Sequence, residues 1–334
     1  MKDKILLAHG SGGRLAHELI ESTFLKMFSN PLLEKLDDSA VFELSGRLAF
    51  STDSYVVSPI FFPGGDIGRL AICGTVNDVA MSGAKPLYLS LSFIIEEGLP
   101  VSDLNQILQS ISDTAKEAKV EIVTGDTKVV HRGSADKLYI NTSGVGIISN
   151  GVNISGKNAK PGDKVIISGS IGDHGIAVLS QREGLSFSTR LISDCAPLGG
   201  MVSELVANDI EIHCLRDPTR GGLATTLNEI ARQSEVSIRI DEINIPVREE
   251  VSSACEMLGL DPLYVANEGK LVAILPAVEV EKALTIMHNN RYGREAVTIG
   301  NVEAEYPGRV IMKTLLGTSR IVDMLVGDIL PRIC

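Results

Sequence analysis

The chain has 334 residues, 44% of them hydrophobic and 22% charged, which is enough for more than one core and makes two domains the natural expectation. Its formal net charge is −11, aromatic residues make up only 4% and Trp is absent, so neither phosphate-backbone binding nor base stacking is expected and nucleic acid is excluded as a partner class. No apolar run approaches the ~18 residues of a membrane span, and the one near the start is too short for a signal peptide, so no membrane association is expected either.

Five cysteines (Cys73, Cys195, Cys214, Cys255 and Cys334) are scattered without a Cys-x-x-Cys pair. That pattern speaks against a disulfide framework or a zinc site and for a reducing, cytoplasmic setting. The first four read as small buried hydrophobes.

The elements follow in chain order. "RLAFSTDSYVVSP" (47–59) reads as a strand closed by Pro59. "GDIGRLAICGTVNDVAMSG" (65–83) has helical apolar spacing and stops at Gly83. "PLYLSLSFIIEEG" is a strand, and "PVSDLNQILQSISDTAKEAK" a helix with Ser102 as its expected cap. "VEIVTGDTKVV" and "KLYINTSGVGIIS" are two further strands.

"NGVNISGKNAKPGDK" (150–164) has almost no core formers and marks the domain boundary. Domains are therefore expected over 1–150 and 151–322, with 323–334 a flexible tail. The second domain alternates helices near 173–182, 198–208, 220–234 and 278–291 with the strands "KVIISGS", "VSIRID", "LVAILPA", "EAVTIGNVE" and "GRVIMKT". The fold class is mixed α/β (α+β).

Phosphate chemistry has several candidate seats. "GVNISGKN" (151–158) misses a Walker A loop by one residue, since Asn158 stands where a hydroxyl should hold Mg²⁺. The Rossmann fingerprint is missing as well, because "GVGIIS" lacks the third glycine. What remains is a set of aspartates in short polar segments: Asp37-Asp38, Asp53, Asp78 and Asp126. A few carboxylates plus substrate phosphates suit Mg²⁺, although each aspartate alone is equally a turn or cap residue. "HGSGGR" (9–14), with Arg14, and "RDPTRGGLA", with Arg216, Thr219 as expected cap and Arg220, could each present backbone N–H groups to an anion.

In this order, "HGSGGR", "DDSA", "STDSYVVSP", "NDVAMSGAKP", "TGDTKVV", "GDHG", "RDPTRGGLA", "ANEGK" and "PRIC" resemble the HypE family of hydrogenase maturation factors, over nearly the whole chain. The superfamily includes aminoimidazole ribonucleotide synthetase, selenophosphate synthetase and thiamine-monophosphate kinase. The resemblance implies an N-terminal domain that pairs in a homodimer, a C-terminal α/β domain, and a site for ATP and Mg²⁺. It implies that HypF carbamoylates the thiol of Cys334, that ATP-dependent dehydration makes a thiocyanate, and that cyanide passes to the iron held by HypC and HypD.

By the same resemblance Asp38, Asp53, Asp78 and Asp126 are metal and ATP ligands, joined at the nucleotide by Asn77, Arg216 and Arg220. Lys128 and Glu268 handle the dehydration, with Glu268 as base, and His174 is a further catalytic candidate. The rivals are a small-molecule kinase or synthetase with an incidental Cys334, and a non-catalytic scaffold. A tail of eight residues from Gly327 spans about 25 Å when extended, so the thiol is expected to travel.

Overall fold

The structure is a computed structural model that describes residues 4–37, 39–184, 191–325, 327 and 332–334. After two short helices, α1 (Arg14–Leu19) and α2 (Leu25–Phe28), the first half builds a sheet from β1 (Arg47–Tyr55), β4 (Ala84–Glu96), β5 (Glu121–Val130) and β6 (Leu138–Ile148) in the order β1-β6-β4-β5. A minor hairpin, β2 (Phe61–Phe62) with β3 (Gly65–Asp66), leads into α3 (Ile67–Met81), and α4 (Val101–Ala118) joins β4 to the parallel strand β5.

Pleat alternation gives this sheet two unlike faces. Tyr55, Leu89, Leu91, Phe93, Leu138 and Ile140 are buried with Leu104, Ile107, Leu108 and Ile111 of α4 in one core. The opposite face stays open and carries Leu48, Phe50 and Ile94, with Phe50 72% exposed. Asp66 caps α3 by accepting from Gly68 N (2.8 Å) and Arg69 N (3.0 Å). Gly74 lets α3 lie flat on β1, since a Cβ there would sit 2.4 Å from Tyr55 Oη. Ser102 does not cap α4. The N-cap is Pro100, and the Ser102 hydroxyl turns to Asp103 instead.

The second half forms a sheet of β7 (Asp163–Ile167), β8 (Cys214–Arg216), β9 (Ser237–Asp241), β10 (Val272–Pro276), β11 (Val297–Glu303), β12 (Val310–Lys313) and β13 (Ser319–Val322). The order is β13-β12-β9-β11-β7-β10-β8, antiparallel except for β12 beside β9. Alternation again sorts the side chains. Val165, Ile167, Val272 and Ile274 face α7 (Gly222–Gln233), while Ile166, Ala273 and Leu275 face α6 (Gly199–Ala207) and α9 (Val280–Asn289).

The helices α5 (Asp173–Glu183) and α8 (Glu249–Leu258) complete this half, and α8 has no counterpart in the sequence expectation. Thr219 does not cap α7, whose N-cap is Gly221. Gly221 and Gly222 both take positive φ (72° and 59°), so the turn itself demands glycine. Cys73, Cys195, Cys214 and Cys255 are buried free thiols, as expected. Among the described residues no helix is long and apolar enough to cross a membrane.

The two halves share a core. Val178, Cys195, Ala266 and Ile333 are buried in the same cluster as the α3 and β4 side chains. Across this seam Arg69 Nε donates to the Cys195 carbonyl (2.9 Å), while within the first half its guanidinium pairs with Glu117 (3.2 Å).

Candidate active site at the domain seam

The site begins on the covered face of β1. Asp53 points there, and Ser51, two residues earlier, donates to Asp78 Oδ2 on α3 at 2.7 Å. Asp53 Oδ1 meets Arg220 Nη2 at 3.2 Å, which ties the N-terminal sheet to the loop before α7. Burial raises the Asp78 pKa, and the Asp53 charge adds to the rise. Asp217, in the same loop, is pushed up to about 7 by burial and then by the Asp78 charge. Arg216 is tied to Glu229 at 3.1 Å.

Glu268 closes the site from the other side. It is 3% exposed, and its Oε1 has no hydrogen-bond partner among the described residues. Burial, then the neighbouring Cys195, Asp217, Asp194 and Asp53, drive its pKa well above the carboxylate range. Its backbone is held rigidly. Asp194 accepts from the N–H of Glu268 (3.2 Å) and of Gly269 (3.3 Å), and Asp194 is itself paired with Lys270 (3.2 Å). A Cβ on Gly269 would lie 1.8 Å from the Asp194 carbonyl oxygen, so glycine is required there.

Asn77 belongs to the same frame. Its amide donates to the carbonyls of Ala196 (3.0 Å) and Glu268 (3.3 Å) and accepts from Leu198 N (2.7 Å). With those bonds made, Asn77 positions the Glu268 segment.

The last three residues are seated in this site. Ile333 is 3% exposed, and its carbonyl accepts from His174 Nε2 at 2.9 Å. His174 Nδ1 accepts from Ser193 Oγ (2.8 Å), whose oxygen in turn accepts from Cys195 N (3.1 Å), so the ring carries its proton on Nε2. Burial holds the His174 pKa low.

The thiol of Cys334 is half-buried beside Arg220, Glu268 and Asp53, lining a cavity of about 390 Å³ with Ser54, Tyr264 and Ala266. Burial pushes this thiol up to about 12; Glu268 adds to the rise and Arg220 opposes it. Arg332 also lines this cavity, but its guanidinium pairs with Asp136 (2.8 Å).

The remaining expected residues lie elsewhere. Asp126 and Lys128 are on β5, the other edge of the sheet, three strand spacings (~14 Å) from the β1 position of Asp53. By pleat alternation they stand on the open face, bonded to each other at 2.8 Å. That bond from Lys128 holds the Asp126 pKa below the usual range. They line a separate cavity of about 310 Å³ with His9, Gly10 and Gly12 of the glycine-rich "HGSGGR" stretch. One chain therefore does not gather the expected aspartates. Asp38 lies outside the described residues, and no group of three or more metal-ligating side chains occurs among those described.

Sequence reasoning passed over Asp217, Asp194, Ser193 and Ser51. Asp217 carried a usable signal, since it stands between Arg216 and Arg220 in "RDPTRGG". Asp194 and Ser193, in "ISDCAP", carried none.

Comparison with known proteins places this geometry. Residues 36–148 match the N-terminal domain, and residues 160–313 the C-terminal domain, of AIR synthase related proteins. Carbamoyl dehydratase HypE of Azotobacter vinelandii is 54% identical over 329 residues, 98% of this chain and 96% of the relative. The chain belongs to the HypE family.

Carbamoyl dehydratase HypE of Escherichia coli is 46% identical, over 99% of this chain and all of the relative. A crystal structure of HypE in complex with ATP superposes with a TM-score of 0.96 at 54% identity, covering 98% of this chain and 99% of that one. Thiamine-monophosphate kinase of Stenotrophomonas maltophilia, 19% identical over 88% of this chain and 95% of its own, shares the fold with a TM-score of 0.66.

Proposed function

We propose that the chain is an ATP-dependent carbamoyl dehydratase that acts on its own Cys334, converting an S-carbamoyl group to a thiocyanate that supplies cyanide to [NiFe]-hydrogenase iron. One observation carries the reading: Cys334 is seated against Arg220 and the buried Glu268, in the cleft that also holds Asp53 and Asp78. A small-molecule kinase has no use for a thiol held there, and the HypE relatives match over nearly the whole chain.

The chemistry follows from the parts. The carbamoyl oxygen takes the γ-phosphoryl group of ATP and leaves as phosphate. The nitrogen loses two protons as C≡N forms, so overall RS–C(O)NH₂ and ATP give RS–C≡N, ADP and dihydrogen phosphate. Glu268 accepts a proton from that nitrogen. Its low-dielectric surroundings raise its basicity, and its bare Oε1 has room for the bond. Arg220 stands where charge develops on the carbamoyl oxygen.

Two mutually repelling carboxylates, Asp53 and Asp78, fit a hard divalent cation together with phosphate oxygens. Mg²⁺ held there would neutralise phosphate charge during transfer. The open sheet face with Leu48, Phe50 and Ile94 supports a homodimer in which Asp126 and Lys128 of one copy complete the nucleotide site begun by Asp53 and Asp78 of the other. HypF, seen with HypE in a crystal structure 52% identical to this chain, is the proposed carbamoyl donor, and HypC–HypD the acceptor of cyanide, in the cytoplasm.

Intact-mass analysis tests the reading. After incubation with the carbamoyltransferase and carbamoyl phosphate, Cys334 should gain a carbamoyl group and lose water only when Mg-ATP is added. ATP consumption with an unmodified thiol would overturn it.

A further inference from the structure

The contacts that seat the tail are read from its backbone. The carbonyl of Arg332 accepts from Ser58 N (3.1 Å) and Arg182 Nη2 (2.7 Å), that of Ile333 from His174, and that of Cys334 from Val56 N (3.4 Å). Val56 and Ser58 thus reach Cys334 and Arg332 at alternate residues just beyond β1, so the grip is on the tail's backbone carbonyls. Arg332 Nε returns a bond to the Val56 carbonyl (3.2 Å).

Two side chains add selectivity. Ile333 is buried in the core shared by both halves, and Arg332 pairs with Asp136 at 2.8 Å. Arg332 itself takes φ +57°, a left-handed bend that turns Ile333 inward. The sulfur faces the cavity, with Arg220 beside it. Every one of these partners belongs to the body of the protein.

We infer that this seat is a peptide site for the sequence Arg-Ile-Cys, and that it accepts that sequence from another molecule, so that the enzyme dehydrates a free S-carbamoyl peptide in trans. The inference rests on the dehydratase reading. Atoms balance as for the tethered thiol: the peptide's carbamoyl oxygen leaves on the γ-phosphate of ATP, and two nitrogen protons are released as C≡N forms. The tether contributes proximity, equivalent to roughly millimolar local peptide. A free peptide should therefore saturate the site only at about that concentration.

The test uses the full chain with two substitutions, Ile333→Asp and Cys334→Ser, which weaken its own tail's hold and remove its thiol. N-acetyl Leu-Pro-Arg-Ile-Cys carrying an S-carbamoyl group is supplied from ~0.1 to 10 mM with Mg-ATP, a range that brackets the local concentration. Mass spectrometry of the peptide should show loss of water that requires ATP. Changing the peptide's Ile to Asp should slow this by at least about tenfold, the factor expected for losing an apolar anchor.

Cys334→Ser alone, whose tail still competes, should need more peptide for the same rate, and it serves as the control should Ile333→Asp impair folding. No dehydrated peptide with either variant, while the wild-type chain dehydrates its own carbamoylated tail, overturns the inference and leaves the dehydratase reading intact. Failure of the wild-type chain on its own tail would strike that reading instead. Equal turnover of the Asp-containing peptide would also overturn the inference, because the seat would not be the route.

Discussion

His174 Nε2 donates to the carbonyl of Ile333 at 2.9 Å, while Ser193 fixes the ring's other nitrogen at 2.8 Å. A buried imidazole is thus used to hold the tail, one residue from the reactive thiol. Burial keeps it neutral, and neutrality preserves the tautomer that donates.

His174→Ala should free the tail. An unsatisfied buried carbonyl costs about 1–3 kcal/mol, so the docking equilibrium constant should fall by ~5- to 150-fold. The check is the rate at which Cys334 reacts with a thiol reagent, which should rise while dehydration slows. An unchanged thiol reactivity would mean that Ile333 burial alone holds the seat.

Glu268→Gln should lower dehydration by about 10²- to 10⁴-fold, the usual range for a general base. It should also stabilise the fold, with a definite pH dependence. The folded pKa of Glu268 is raised above its unfolded value of about 4.3, so the folded state binds the proton more tightly. Wild-type stability therefore falls relative to the Gln variant as pH climbs from about 4.3 toward the raised folded pKa. Thermal melts of both proteins from acid to alkaline pH would show a widening gap; a constant gap would contradict the buried-carboxyl account.

Arg220→Met removes the cation that opposes burial at the thiol and bonds Asp53. Dehydration of carbamoylated Cys334 should fall by about 10²-fold, the scale seen when a preorganised donor is lost. ATP affinity should change much less. Quench-flow mass analysis of the tail, alongside nucleotide titration, separates the two effects.

Asp53 and Asp126 stand on opposite edges and opposite faces of one sheet. If two copies complete each other's nucleotide site, Asp53→Asn and Asp126→Asn should each be inactive alone. Mixed and allowed to exchange, they should recover about a quarter of wild-type activity, because half the dimers are then hybrids with one intact site of two. No recovery in a mixture shown to contain hybrids would place the site within one chain.

Much of this protein could be read from its residues in order. Period-two runs at 47–59 and 137–149 and the helical stripe of α4 report local geometry, because side-chain direction repeats with the backbone. The short strand β8 and the helix α8 escaped, since three residues carry too little period and the α8 segment has polar neighbours. The ordered motifs pointed to the family and to Cys334, Glu268, Asp53 and Asp78, because they record which chemical groups are present. The sequence could not say which of those groups meet. Asp126 matches Asp53 as a motif residue, yet one strand order and one step of the pleat put it on the other face. Arg332 is the closer guanidinium to Cys334 along the chain, yet Arg220 reaches the thiol, because the left-handed bend at Arg332 sends its side chain to Asp136. Composition and periodicity act over a few residues, whereas the site is made by contacts between segments tens to hundreds of residues apart, and only packing decides those.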